Sequence, residues 1–258
     1  MRDFTLGSYE RLIELLLDKD IPVFGVANWI REGRSDGVLL RHDVDRKPHR
    51  ALSMAKLEAS NGIQSTYYFR VVGSSWNPMI IKEVASMGHE IGYHYEDLAL
   101  VRGNREKALV SFEMNLNRIR EITSVATIAM HGSPLSRYNN LELWINEEFQ
   151  RFGVMGDAIL SVDYGNLTYL TDTGRRWDNS TANLRDYPST RSSSASACIR
   201  TTVDLINWIN ESSSVKLAIS VHPERWTMSA VDYWPQLLTD LSANFAKRVM
   251  TNLRRFAI

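Results

Sequence analysis

Short apolar runs alternate with helical patterns along nearly all of this chain, and that alternation admits few architectures. "GVLLRHDV" (37–44), "STYYFRVV" (65–72), "HEIGYH" (89–94), "ATIAMHG" (126–132), "DAILSVDY" (157–164) and "KLAISVHP" (216–223) read as strands, with "LTYLTDT" (167–173) a weaker seventh. Between them, "RALSMAKLEASNG" stops at Asn61-Gly62, and "NPMIIKEVASMG" opens with an Asn cap and a proline. Residues 104–121 place Leu109, Phe112, Leu116 and Ile119 on one helical face. "LELWINEEFQRFG", "TTVDLINWINES" and residues 236–256 complete the predicted helices. Such alternation implies a parallel sheet with right-handed crossovers, hence an α/β fold. Its 258 residues match the size of one α/β barrel, so 1–258 reads as a single domain with a helix/strand extension over 1–36.

Thirty basic and thirty acidic residues cancel, so nothing in the overall charge favours nucleic acid or an acidic membrane. The single cysteine, Cys198, excludes an internal disulfide framework and a cysteine-based metal site, and reads as an inert small residue. Charged residues interrupt the N-terminus, no signal-peptide pattern is present, and no apolar run approaches a membrane span. A soluble, cytoplasmic protein is the expectation. Residues 173–199 carry no helix or strand period and read as a long loop, functional or mobile.

Polar residues end nearly every predicted strand. They are Asp43 and Asp45, then Arg70, His94 and Glu96, His131, Asp172 with Arg175, Arg176 and Trp177, and His222 with Glu224, Arg225 and Trp226. Parallel α/β folds gather the carboxyl ends of their strands at one mouth, where active sites lie. Asp43 and Asp45 are two apart, so an extended segment points both to one side. Two like charges there would raise one another's pKa, unless a divalent metal takes one as ligand and leaves the other as general base. A solvated turn, or a helix cap formed by Asp45, is the competing explanation.

"RHDVD", "GHEIGYH", "MHGSP", "TDTGRRW" and "SVHPERW", in this order over residues 38–226, resemble the motifs of the polysaccharide deacetylases, the family 4 carbohydrate esterases. The resemblance implies a distorted (β/α)7 barrel and metal-assisted hydrolysis of an acetamido group on a sugar. It implies a catalytic base and a metal ligand at Asp43 and Asp45, a metal-ligand histidine at His94, and a general acid at His222. Leu98 stands where the family carries a second metal-binding histidine, and His131 where it carries an arginine that steadies the base.

Asp45 and His94 leave a zinc site short of a third ligand. His131, on the next strand and followed by Gly132, is preferred over Glu96 and His42 for that place, with hydrogen bonding to Asp43 as its rival role. His89 and His49 read as structural and surface residues. Arg70, Arg175, Arg176 and Arg225 suit an anionic substrate, Asp172 joins them at the mouth, and Trp76, Trp177 and Trp226 suit sugar stacking. The expected function is a zinc- or other divalent-metal-dependent N-deacetylase acting on a small or carrier-linked carbohydrate. The alternatives are a hydrolase of non-sugar C–N bonds, such as cyclic amides, with or without metal, and a catalytically silent carbohydrate-binding barrel.

Overall fold

A computed structural model describes residues 2–146, 148–177 and 199–255. The chain runs α1 (Leu6–Asp18), β1 (Val23–Phe24), α2 (Val26–Glu32), β2 (Gly37–Val44), α3 (Pro48–Ser60), β3 (Thr66–Phe69), α4 (Pro78–Ser86), β4 (Glu90–Tyr95), α5 (Asp97–Leu100), α6 (Arg105–Arg120), β5 (Thr127–Met130), β6 (Gly156–Asp157), β7 (Thr168–Thr171), α7 (Thr202–Glu211), β8 (Lys216–Val221) and α8 (Ala230–Arg255). All strand pairs are parallel, in the order β6-β5-β4-β3-β2-β8-β7, with β1 added beside β2. The sheet curls with helices around it, an α/β fold of the distorted (β/α)7 kind. The extension over 1–36 joins this sheet through β1 and covers it with α1 and α2.

Three predicted elements differ. "LELWINEEFQRFG" forms two 3₁₀ turns, Asn140–Trp144 and Phe149–Phe152, instead of an α-helix. The Asn139 side chain caps Leu141, and Asn146 in the left-handed region at φ 60° breaks the run. "DAILSVDY" is a strand only over Gly156–Asp157. The Asp157 carboxylate accepts from the N–H groups of Ile159 and Leu160 and turns the chain. The final helix starts at Ala230, six residues before the predicted 236, because Ser229 caps the N–H of Asp232, and Pro235 lies inside it. Of the predicted loop 173–199, residues 178–198 lie outside the described residues, and Cys198 with them.

Alternation along β2 sorts its side chains. Leu39 points into the barrel with Tyr68, Ala129, Tyr169 and Ala218 from β3, β5, β7 and β8. Val38 and Leu40 point out to the helices. Gly92 on β4 is required by this interior, since a Cβ there would overlap the Tyr68 ring and the Thr127 carbonyl. His42 points outward, stacks on Tyr67 at 4.2 Å, and bonds the buried Glu58 carboxylate at 2.7 Å. Glu58 also accepts from Tyr9 and, at 2.5 Å, from Ser65, while His89 lies 3.7 Å away with its Nε2 on the Ala55 carbonyl. His42 and His89 therefore belong to the outer layer, away from the mouth.

Burial alone would raise the Glu58 carboxyl, but His42, His89 and the Ser65 hydroxyl outweigh it and bring it down to about 2 from 4.5. A depressed carboxylate pKa stabilises above its unfolded value and is lost as pH falls toward the folded one. Wild-type protein should therefore lose about 3 kcal/mol from this group between pH 5 and pH 2. Glu58→Gln should be less stable at pH 7 by about 3–5 kcal/mol and show a shallower acid slope in urea unfolding. An unchanged slope would mean that the cluster does not carry the acid sensitivity.

Candidate active site

Strand β2 delivers two inward residues in succession, Arg41 and Asp43, and ends one residue short of Asp45. Arg41 and Asp43 are both buried, with Arg41 Nη2 3.2 Å from Asp43 Oδ2. Ser220 of β8, in register beside Arg41, donates its hydroxyl to the same Oδ2 at 3.1 Å. Asp43 Oδ1 makes no hydrogen bond. Burial would raise this carboxyl, but Arg41, with His94 and His222 behind it, holds it below the usual value. Asp43 is thus an ionised carboxylate with one oxygen anchored and one available.

Asp45 Oδ1 lies 3.4 Å from His94 Nε2 and 3.4 Å from His131 Nε2. Two ligand atoms each about 2.1 Å from a tetrahedral metal lie about 3.4 Å apart, so both spacings fit a shared ion. Both imidazoles are fixed from behind. His94 Nδ1 donates to the Ala129 carbonyl at 3.0 Å, and His131 Nδ1 lies 3.1 Å from Glu96 Oε2. That is how metal-ligating histidines are oriented, with the lone pair of Nε2 turned to the site. Asp45 Oδ1 has no hydrogen bond of its own. Among the described residues no group of three or more His, Cys, Asp and Glu side chains is gathered as a ready-made metal cage, and Asp45, His94 and His131 are linked only through Asp45 Oδ1.

Without an ion the His131 imidazole carries the positive charge of this cluster, and a bound cation would take its place by displacing the Nε2 proton. Burial would raise Asp45, but His131 and then His94 hold it well below the usual carboxylate range. Burial would lower His131, but Asp45 and Glu96 raise it to about 9. His131 pairs with Asp45 and Glu96, and the guanidinium beside Asp43 comes from Arg41. Leu98 packs into the outer core and Glu96 turns to His131 and Arg70, so neither joins His94. His131→Ala should weaken zinc affinity by at least about 100-fold, since even a hydrogen-bond partner of a ligand is worth about 10–100-fold. Dialysis followed by elemental analysis reads this, and a stoichiometric ion left in the variant would exclude ligation by His131.

Directly after β8, His222 is held by Asp172, which follows β7. Its Nδ1 lies 2.7 Å from Asp172 Oδ1, and its backbone N–H donates to Oδ2 at 2.9 Å. Trp226 Nε1 donates to the same Oδ2 at 2.7 Å, and Arg225 Nε lies 3.6 Å from Oδ1. Burial would lower His222, but the Asp172 carboxylate raises it to about 9. His222 is therefore an imidazolium at neutral pH.

Several residues predicted to bind substrate do other work. Asp172 is fully buried beneath His222 with its oxygens occupied by protein. Trp177 and Trp226 are buried core residues packed against Phe4, so they offer no face to a sugar. Trp76 packs at the edge of the outer core under Arg118. Arg70 is committed to Glu96 at 2.5 Å and to the Asp45 carbonyl at 3.3 Å. Arg175 ties together the Arg225 and Asp3 carbonyls and Asp240. Arg225 is buried beside Asp172, and Arg176 is exposed. His49 is exposed on α3. Of the predicted site, Asp43, Asp45, His94, His131 and His222 share the mouth, with Asp172 and Arg70 bracing them.

Sequence reasoning missed Arg41 and Ser220, each two residues before a site residue on its own strand. The same-side spacing applied to Asp43 and Asp45, carried back one step, finds both. It named Glu224 only as a neighbour of His222; this is a buried carboxyl whose Oε2 makes no hydrogen bond and which burial and the nearby Asp45 charge push up to about 7. Comparison with protein-family models and with curated proteins finds no match for this chain.

Proposed function

We propose that the chain is a metal-dependent hydrolase acting on an amide of a carbohydrate, an N-deacetylase of glycan assembly, as its resemblance to the polysaccharide deacetylases implies. One observation carries the reading: an ionised carboxylate, Asp43, and a protonated imidazole, His222, border a three-donor cluster of Asp45, His94 and His131. Asp45, His94 and His131 would hold a divalent ion such as zinc. When bound, that ion supplies a Lewis acid for the carbonyl and lowers the pKa of water.

The chain's own groups supply the proton transfers. Asp43 Oδ1 accepts the proton of the attacking water, while Arg41 and Ser220 keep Oδ2 fixed and the carboxylate charged. As the water oxygen bonds to the carbonyl carbon and the carbon–nitrogen bond breaks, His222 Nε2 gives its proton to the leaving nitrogen. Asp172 keeps that proton in place beforehand and fixes the ring.

A second reading, hydrolysis of a non-sugar C–N bond, gains from the burial of Trp177 and Trp226 and the internal pairing of Arg70 and Arg175. These residues no longer argue for a sugar or an anion. A silent binding barrel is disfavoured, because binding alone needs no acid and base held in opposite protonation states. Zinc-reconstituted protein should release acetate from N-acetylated sugars, free or nucleotide-linked. Turnover of cyclic amides alone would select the second reading, and full activity in metal-free protein would sink the first.

A further inference from the structure

Helix α8 is packed inside out. Its inward face is polar: Gln236 and Asp240 are buried, Gln236 takes the Lys47 ammonium at 2.6 Å and an Arg50 nitrogen at 2.9 Å, and Asp240 pairs with Arg175 at 3.3 Å. Asn244 continues this face with a bond to the Gly174 carbonyl. Its outward face is apolar, with Val231 83%, Trp234 57%, Leu238 64%, Leu241 53% and Phe245 71% exposed. A helix whose polar face is taken up by its own protein and whose apolar face meets water lacks a cover.

We propose that this face pairs with the same face of a second copy of the chain. Residues 231, 234, 238, 241 and 245 follow one another at intervals of three, four, three and four, the a/d spacing of a helix–helix seam. Five such side chains offer roughly 600 Å² per copy, so a pair buries roughly 1,200 Å², enough for a stable interface. The seam meets no like-charge penalty, because residues 230–245 carry only Asp232 and Asp240 as charges, and Asp240 faces the barrel. A helix lying on lipid carries Lys and Arg along its polar face, which here is occupied by the barrel and contains none in this stretch. Lys247, Arg248, Arg254 and Arg255 follow in the sequence and make an acidic lipid surface the sharpest rival.

The test is sedimentation velocity of the full chain from about 1 to 100 µM, beside the double variant Leu238→Glu/Leu241→Glu. The wild-type mass should rise from 29.5 kDa toward twice that value. The variant should remain monomeric, its dissociation constant raised at least about 100-fold, and at about 1 µM it should share the circular dichroism and melting of the wild-type monomer because both positions are exposed in the single chain. A wild-type protein monomeric at the highest concentration overturns the proposal, as does a variant that dimerises as tightly as the wild type. Co-sedimentation with phosphatidylcholine vesicles containing phosphatidylglycerol completes the test. A wild-type monomer that binds them through Leu238 and Leu241 overturns the pairing and assigns the face to lipid.

Discussion

Asp43→Asn should lower turnover by about 10²–10⁴ while leaving bound metal near the wild-type level. The substitution keeps the size of the side chain and an oxygen for the Ser220 hydroxyl. It removes the negative charge that Arg41 stabilises and the basicity of Oδ1, the oxygen with no protein partner. The 3.4 Å contacts that unite the three donors run through Asp45, not Asp43. Single-turnover kinetics with elemental analysis of the same sample separates the two roles. A variant that keeps a third of wild-type turnover would show that Asp43 is not the base. A variant that loses its metal would place Asp43 among the ligands.

Asp172→Asn should be almost as damaging, in a pH-dependent way. An asparagine has one oxygen acceptor where Asp172 uses two, so it cannot serve His222 Nδ1, the His222 backbone N–H and Trp226 Nε1 together. The raised value of about 9 means that His222 keeps its proton up to that pH. Without the carboxylate, burial lowers the imidazole toward or below its ordinary 6.5. The basic limb of kcat should then move down by about two pH units, with a loss of about 10²–10⁴ at pH 8 and a smaller one at pH 6. An equal loss at both pH values would reduce Asp172 to a structural support.

Strand ends were legible because burial on both faces leaves unbroken apolar runs, and β2 was read with its observed bounds, Gly37–Val44. Asp43, Asp45, His94 and His222 were legible for the same reason, since the topology collects what ends each run. Direction beyond the strand was not. Trp177 and Trp226 follow polar strand ends as a surface loop would, yet the chain turns both back against Phe4. Arg175, in the left-handed region at φ 57°, likewise points to Asp240 rather than to the mouth. The short β6 was hidden because Asp157 ends the strand with its own side chain, a local competition that an apolar run does not reveal. The outward stripe of α8 obeys helical periodicity as well as a core stripe does, so sequence alone does not say which side faces water.

The Arg41–Asp43 pair has a bearing on how such a site diversifies. Its members are two residues apart on one strand, so the pair assembles as soon as β2 is extended and closes no long loop. The His222–Asp172 pair joins segments 50 residues apart and depends on β7 and β8 staying in register. A lineage carrying the local pair can insert, delete or reshape the connections around the mouth without retuning its proton acceptor. Changes between residues 172 and 222 remain tethered to the proton donor. Variation in what the mouth admits should therefore accumulate fastest in the connections that leave the β7–β8 register alone.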